Sequence, residues 1–210
     1  MKISLSADMQ PVLSVFILSL ILSSAVAWVG LSPRPIEPFF ALATLGEGMK
    51  AERYYPGNSS NIAVGTPIQW YVTIYNHMGT AQYVLLRVKL LNQTMIPPDP
   101  RNNIPSPAPA FIEFWRVLAH NETWVFSFRW LLANVSFAVD SLIVNRLVVN
   151  DISVDEGLGV RALNGYNFRI VLELWIHNVD TGQFEFYWSS GRERRSAWNQ
   201  IWFNVTGPVL

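Results

Sequence analysis

Alternation of hydrophobic and polar residues dominates the chain from Ile68 onward. In IQWYVTIYNH, every second residue from Ile68 to Ile74 is apolar, as in a strand buried on one face. QYVLLRVKLL repeats the pattern, with Arg87 and Lys89 on the outward face. The intervening NHMGT contains Gly79 and predicts a turn, so we expect the two strands to pair as a hairpin.

Further strands follow the same period. Alternation continues from Trp124 to Trp130 and from Phe168 to Ile176, and the shorter stretches SLIVNRLVV, QFEFYWSS and NQIWFNVT complete the series. About seven or eight strands separated by turn signals predict an all-β fold, an immunoglobulin-like antiparallel β-sandwich with one N-terminal transmembrane helix. An open barrel is the alternative arrangement. The 9 Trp, 12 Phe and 7 Tyr residues suit a half-buried sheet core.

An uncharged stretch near the N-terminus, PVLSVFILSLILSSAVAWVGL, runs from Pro11 to Leu31. It has the length of about 20 residues that a helix needs to cross a bilayer. Ala25 and Ala27 have the small-x-small spacing of a signal-peptidase site, which would release the chain after Ala27. The apolar stretch is longer than a typical signal sequence, and Trp28 suits the membrane interface, so we predict a retained anchor.

These patterns divide the chain into four parts. We predict a short tail over residues 1–10, a transmembrane helix or uncleaved signal anchor over 11–31, a membrane-proximal linker over 32–48 and an extracytoplasmic β-sandwich domain over 49–210. In the linker, Gly46 and Gly48 permit sharp backbone bends. MKAERYY, residues 49–55, is predicted to be the first strand of the sandwich.

Five N-x-[ST] sequons indicate the side of the membrane that the domain faces. A single motif arises readily by chance, but five in 210 residues predict N-linked glycans on a single-pass protein of the cell membrane, with its domain outside the cytoplasm. We expect glycans on Asn58, Asn92 and Asn121, which fall beside predicted turns. The complete set of acceptors is Asn58, Asn92, Asn121, Asn134 and Asn204.

Net charge and amino-acid composition limit the kinds of ligand and catalysis that the chain can support. The 15 basic and 15 acidic residues cancel, which removes a broad attraction to nucleic acid, and the absence of cysteine excludes disulfides and thiolate ligands. None of the 3 histidines has H-E-x-x-H spacing; His77 and His177, both at strand ends, are weak candidates for a shared metal site. No phosphate-binding loop or nucleophile elbow is present. We therefore predict no catalytic residues and no cofactor.

Two segments interrupt the strands. MIPPDPRNNIPSPAPA, residues 95–110, contains six prolines and predicts extended polyproline backbone. A stiff crossover between sheets is favoured over a partner-docking surface. Near the C-terminus, SGRERRSAW clusters Arg192, Arg194 and Arg195. We expect a solvated turn there, with contact to acidic glycans or lipid headgroups as the alternative.

The stretch FFALATLGEGMKAERYYP, followed by VGTPIQWYVTIYNH and QYVLLRVKLLN, resembles the extracytoplasmic part of an archaeal family of uncharacterised membrane proteins, the domain of unknown function numbered 1616. Roughly a third of the chain carries the resemblance, and RIVLELWIHN is similar to the family's closing strand. Many members have several helices, and the proline segment and last hairpin are additions here. The resemblance implies a location, a fold and a docking element near the bilayer, and no activity. The matching positions are Phe39, Phe40, Leu45, Gly46, Gly48, Tyr55, Pro56, Gly65, Asn76, His77 and Tyr83.

Three functional hypotheses follow. The first is a non-catalytic, membrane-anchored cell-surface module, an accessory or structural subunit of an envelope or membrane protein complex, with the bilayer and other envelope proteins as partners. The second is an enzyme or enzyme subunit acting on envelope glycans, with carboxylates such as Glu113, Glu122 or Glu173 brought together by the fold. The third is a filament or surface-layer subunit released after Ala27.

Overall fold

The computed structural model describes residues 9–32 and 37–206. One helix, α1 (Met9–Leu31), has exposed apolar side chains, and its segment Pro11–Leu31 is long and apolar enough to cross a membrane. A signal sequence near the N-terminus would meet the same criterion. The chain divides after Ile36 into this helical unit and a β unit that begins at Glu37.

The described part of the β unit contains fourteen strands. Their bounds are β1 (Phe39–Leu45), β2 (Asn61–Ala63), β3 (Ile68–His77), β4 (Gln82–Leu91), β5 (Ala110–Leu118), β6 (Thr123–Ala138), β7 (Ser141–Val149), β8 (Ile152–Val154), β9 (Val160–Leu163), β10 (Phe168–Asn178), β11 (Gln183–Glu185), β12 (Trp188–Ser190), β13 (Glu193–Arg195) and β14 (Ala197–Thr206).

Two six-stranded sheets and the small β12-β13 ribbon account for these strands. The first sheet has the order β1-β3-β6-β7-β8, with β9 also paired to β7. The second has the order β2-β14-β10-β4-β5, with β11 paired to β10. In an immunoglobulin sandwich, strands A, B and E share one sheet and C, F and G the other. Strands β1, β3 and β6 take the first three positions and β4, β10 and β14 the second three, which confirms the predicted fold class.

One core of buried apolar side chains fills the space between the two sheets. Trp130 of β6 reaches Phe203 of β14 across this space, with ring centroids 5.2 Å apart. Trp70 of β3 packs on the same Trp130 at 5.2 Å. Because buried aromatic rings remove large apolar areas from water, these contacts contribute strongly to the stability of the sandwich.

The hairpin predicted for β3 and β4 is wrong, because the two strands lie in different sheets. The connection between them crosses from one sheet to the other. Asn76 fixes this crossing: its fully buried side chain donates to the carbonyl oxygens of Thr80, Leu118 and Ala119. Both strands direct an apolar face at the same core, so an alternating pattern fits a hairpin and a sheet crossing equally well.

The strand predicted over residues 49–55 is also wrong. The first strand, β1, lies inside the predicted linker, and residues 46–53 form a compact loop. The Gly46 N–H donates to the Lys50 carbonyl at 2.8 Å, and a Cβ at Gly46 would collide with the carbonyl oxygen of Glu52. Gly48 has a φ of +79°, in the left-handed region that favours glycine. The glycines therefore shape a turn rather than seat a strand.

Tyr54 and Tyr55 attach this loop to the sandwich. The Tyr55 hydroxyl donates to the Trp202 carbonyl at 2.8 Å, and the Trp70 indole N–H donates to the Tyr54 carbonyl at 2.6 Å. Burial raises the pKa of Tyr55. Pro56 begins the short 3-10 turn Pro56–Asn58. The segment that resembled a docking element is thus an integral part of the β unit.

Candidate functional site

The outer face of the second sheet is partly covered by the segment between β4 and β5. We call residues 95–109 the proline strap. Leu91 and Val171 point away from the main core but are fully buried, because Ala108 of the strap packs on them. Paired backbone hydrogen bonds between Asp99 and Ile104, at 2.8 and 3.0 Å, close the strap on itself. The proline-rich segment is therefore an ordered connection that lies on the outer face of the sheet. The predicted crossover between sheets is wrong, because β4 and β5 are antiparallel neighbours in the same sheet.

A buried ion pair holds the strap to the sheet. Lys89 Nζ lies 2.8 Å from Glu173 Oε2, and the two side chains are 5% and 0% exposed. Lys89 also donates to the Ser106 carbonyl at 2.6 Å, and the Ser106 N–H donates to Glu173 Oε1 at 2.8 Å. The Trp175 indole N–H donates to Glu173 Oε2 at 3.1 Å. Every charge in this cluster is thus compensated, as burial requires.

Arg169 makes a second attachment. Its guanidinium donates to the Met95 carbonyl at 2.6 Å and to Gln200 Oε1 at 2.9 Å. The Cζ atom lies 4.6 Å from the ring centroid of Trp202, within cation–π distance. Burial lowers the pKa of Arg169, because desolvation disfavours the charged form. The strap is therefore fixed at both of its ends by basic residues of the sheet.

A groove of about 360 Å³ opens beside the strap. Arg87 contacts two other lining residues: its Nε donates to Glu113 Oε1 at 2.8 Å, and its Cζ lies 4.1 Å from the ring centroid of Trp175. The Arg87 and Glu113 side chains are about one third exposed. The groove is lined by Arg87, Lys89, Pro105, Ser106, Ala108, Pro109, Ala110, Glu113 and Trp175.

Beyond the groove, the same side of the sheet is aromatic and open. In the register of β4, β5 and β10, Trp115 and Trp175 lie on either side of Leu85, and Val117 lies opposite Tyr83. The Tyr83 ring packs on Phe184 at 5.1 Å. Tyr83, Trp115 and Val117 are 42%, 53% and 62% exposed. We define the aromatic face as Tyr83, Trp115, Val117, Trp175 and Phe184.

The three histidines occupy two different environments. His77 packs on His120, with ring centroids 5.1 Å apart, and its Nδ1 lies 2.8 Å from Asn121 Oδ1. His120 Nδ1 accepts the Gly79 N–H at 3.0 Å, which favours the neutral tautomer with its proton on Nε2. His177 instead packs on Tyr83 and Phe184. The described residues contain no group of three or more His, Cys, Asp or Glu side chains with metal-binding geometry.

Each carboxylate proposed for catalysis faces a basic residue. Glu173 pairs with Lys89 in the interior, and Glu113 pairs with Arg87. Glu122 pairs with Arg116 at 2.9 Å and also accepts the Ala119 N–H. Glycosidase chemistry needs a protonated acid and a free carboxylate on opposite sides of one substrate. In this structure each of the three carboxylates is instead paired with a basic side chain.

The arginine cluster near the C-terminus lies beside the start of the β unit. Arg195 contacts Glu37 at 2.6 Å and Glu193 at 3.4 Å, and these contacts raise the pKa of its guanidinium. Arg194 lies over the Tyr187 ring at 4.5 Å. The cluster therefore ties the β12-β13 ribbon to the first residues of the β unit.

The five sequons lie on different elements. Asn58 is in the 3-10 turn, Asn92 follows β4 and Asn121 lies in the turn between β5 and β6. Asn134 sits at a register shift in β6, and Asn204 is in β14. Asn58, Asn121 and Asn134 are exposed, whereas the other two are partly buried.

Sequence reasoning missed the buried cluster and the aromatic face. It placed Lys89 and Glu173 on outward strand positions, which is correct, but alternation does not indicate what covers an outward position. The signal in the sequence that could have indicated this cluster was the presence of outward-facing charged residues in two strands together with a proline-rich segment able to cover them.

No family model matches the chain, and no curated protein matches it. Among solved structures, a CARDB domain from Pyrococcus furiosus in complex with di-metal ions has a TM-score of 0.38 and 10% identity, covering 82% of this chain and 97% of that one. A β-glucosidase from Listeria innocua in complex with gluconolactone has a TM-score of 0.37 and 14% identity, over 82% of this chain and 17% of the enzyme. At such TM-scores the matches carry no functional argument.

Proposed function

We propose that the chain is a non-catalytic, membrane-anchored cell-surface module that binds another membrane or envelope protein through its aromatic face. The exposure of Tyr83, Trp115 and Val117 on one side of one sheet carries this proposal. Soluble domains rarely expose several large apolar side chains together unless the surface is covered by a partner. Aromatic residues beside an arginine, here Arg87, are the residue types most enriched at the centres of protein interfaces.

The position of β5 supports the same role. β5 pairs with β4 on one side and is the outermost strand of its sheet in the described structure. Trp115 and Val117 therefore stand at a sheet edge, where a partner can reach both side chains and backbone. The neutralised carboxylates Glu113, Glu122 and Glu173 favour binding over catalysis.

Retention of α1 and an outside location complete the proposal. The length and apolar character of Pro11–Leu31 support a single membrane crossing, and five sequons support exposure outside the cytoplasm. The resemblance to the archaeal membrane-protein family suggests the same arrangement. On this account the chain is an accessory or structural subunit of a membrane or envelope complex.

The proposal is tested by extracting the tagged protein from its native membranes in mild detergent and measuring the mass of the extracted particle. We expect a particle larger than the monomer. Replacing Tyr83 and Trp115 together with Ser should reduce it to the monomer, whereas Val125→Ser, an exposed position of the first sheet, should not. A monomer from the unaltered chain, or a complex that survives the double replacement, would contradict the proposal.

A further inference from the structure

The side-chain amides of the five sequons have different hydrogen-bond partners. At Asn92, Nδ2 donates to the Arg161 carbonyl at 2.7 Å, while Oδ1 accepts the Thr94 N–H, the Thr94 hydroxyl and the Met95 N–H. The hydroxyl of Thr94, the third residue of this sequon, is therefore already hydrogen-bonded within the protein. At Asn204, Nδ2 donates to Asn61 Oδ1 at 2.8 Å and Oδ1 accepts the Asn167 N–H at 2.9 Å.

The three exposed sequons leave the amide nitrogen free. Within the described structure, the Asn58 side chain makes no hydrogen bond at all, consistent with its place in an exposed turn. At Asn121, Oδ1 accepts from the Tyr75 hydroxyl at 2.9 Å and contacts His77 Nδ1 at 2.8 Å. At Asn134, Oδ1 accepts from Asn145 Nδ2 at 3.2 Å. Among the described residues, neither Asn121 nor Asn134 uses Nδ2 as a donor.

N-glycosylation forms a bond between Nδ2 and the sugar C1, and releases the lipid pyrophosphate that carried the sugar and one proton from the amide nitrogen. The amide must leave its intramolecular partners to enter the transferase. Asn92 and Asn204 would have to abandon bonds at both atoms and leave the Arg161 carbonyl and Asn61 Oδ1 without their donors. Asn58, Asn121 and Asn134 present the reacting nitrogen to solvent.

We propose that the folded chain accepts glycans at Asn58, Asn121 and Asn134, and that Asn92 and Asn204 are structural amides. This deepens the proposed function, since it rests on an outside location in the cell. Turn signals in the sequence favour Asn58, Asn92 and Asn121 as acceptors. The hydrogen bonds instead favour Asn134 in place of Asn92. Asn92 and Asn204 instead join the ends of β4 and β14 to neighbouring segments.

The test uses the unglycosylated full-length protein in detergent micelles, a purified oligosaccharyltransferase and its lipid-linked oligosaccharide. Synthetic peptides that span each sequon serve as matched acceptors without tertiary structure. Glycopeptide mass spectrometry should find all five peptides modified, and the folded protein modified only at Asn58, Asn121 and Asn134. Modification of folded Asn92 or Asn204 at the rate of the matching peptide would overturn the assignment, as would three unmodified exposed sites.

A second readout does not involve glycans. Asn→Asp replaces Nδ2 by an oxygen of the same size, so Asn92→Asp and Asn204→Asp should lower the melting temperature, whereas Asn58→Asp should leave it unchanged. Equal melting temperatures for all three variants would contradict the structural role. Neither experiment depends on cellular location, so the inference can fail while the proposed function stands. If Asn58, Asn121 and Asn134 are modified in vitro but carry no glycan in protein from native cells, the result would count only against the proposed location outside the cytoplasm.

Discussion

Lys89 and Glu173 form an ion pair of 2.8 Å beneath the proline strap, on the side of the second sheet that faces away from the main core. The pair bridges neighbouring strands β4 and β10, and both partners also bind the backbone of Ser106. Two charges that sequence patterns assign to solvent therefore fasten the connection between β4 and β5. The same strap ends where the open aromatic face begins, so the pair helps to define that surface.

Removing one member of the pair should be costly. Glu173→Gln leaves the Lys89 charge buried without its counter-charge, and we expect a loss of about 3–5 kcal/mol in the free energy of unfolding. Urea denaturation followed by tryptophan fluorescence measures it. Arg116→Gln, which breaks the more exposed pair with Glu122, is the control and should cost far less. Equal losses for the two variants would show that the buried pair does not hold the strap.

Gly46 and Gly48 should respond differently to alanine. A Cβ at Gly46 meets the backbone of Glu52 and Arg53, whereas a Cβ at Gly48 meets open space and suffers only from positive φ. Gly48→Ala should therefore cost about 1 kcal/mol, and Gly46→Ala clearly more. Thermal melting distinguishes them, and Gly182→Ala, at positive φ with open space, is the matched control for Gly48. A Gly46 variant as stable as the control would contradict the compact loop.

The partly buried Tyr55 phenol predicts alkaline sensitivity. Burial raises its pKa above the value of about 10 in an unfolded chain. The unfolded chain then loses its proton first, so stability that is fully present below about pH 10 falls as the pH rises further, by up to about 1.4 kcal/mol per pH unit. Tyr55→Phe should flatten this slope even if it lowers stability at neutral pH by removing the bond to Trp202.

The control for this experiment is Tyr166→Phe, which alters a phenol that is 55% exposed. Denaturation midpoints measured from pH 8 to pH 11 should fall with the same slope in this variant as in the unaltered chain. An unchanged slope in Tyr55→Phe would mean that the phenol is not protected by the fold.

Local sequence predicted the strands well and their partners less well. The inward positions of β3, β6 and β10 follow from alternation alone, because a strand between two environments sorts its side chains by polarity. Alternation carries no information about which sheet a strand joins, and β3 and β4 were therefore paired wrongly. The Gly46–Arg53 loop escaped prediction because MKAERYY has no feature that distinguishes a strand from a loop held by distant partners such as Trp202.

The candidate site depends even more on distant contacts. Lys89 and Glu173 are 84 positions apart in sequence, and only the pairing of β4 with β10 brings them together. Tyr83 and Trp115 likewise become neighbours through the pairing of β4 with β5. The five sequons are recognisable in the sequence. Whether a sequon asparagine has its Nδ2 engaged, as Asn92 does, or free within the described structure, as Asn121 does, depends on hydrogen bonds that only the fold creates.

The most direct test of the central claim is the sidedness of two introduced cysteines in a chain that has none of its own. Val139→Cys lies at a fully exposed hairpin tip of the β unit, and Ser6→Cys precedes the helix. With a membrane-impermeant maleimide on intact cells, a retained anchor with its domain outside predicts a labelled, full-mass, membrane-bound Val139→Cys protein. Ser6→Cys should then react only after permeabilisation. Labelling of Ser6→Cys in intact cells, or a soluble product that begins at Trp28, would contradict the account.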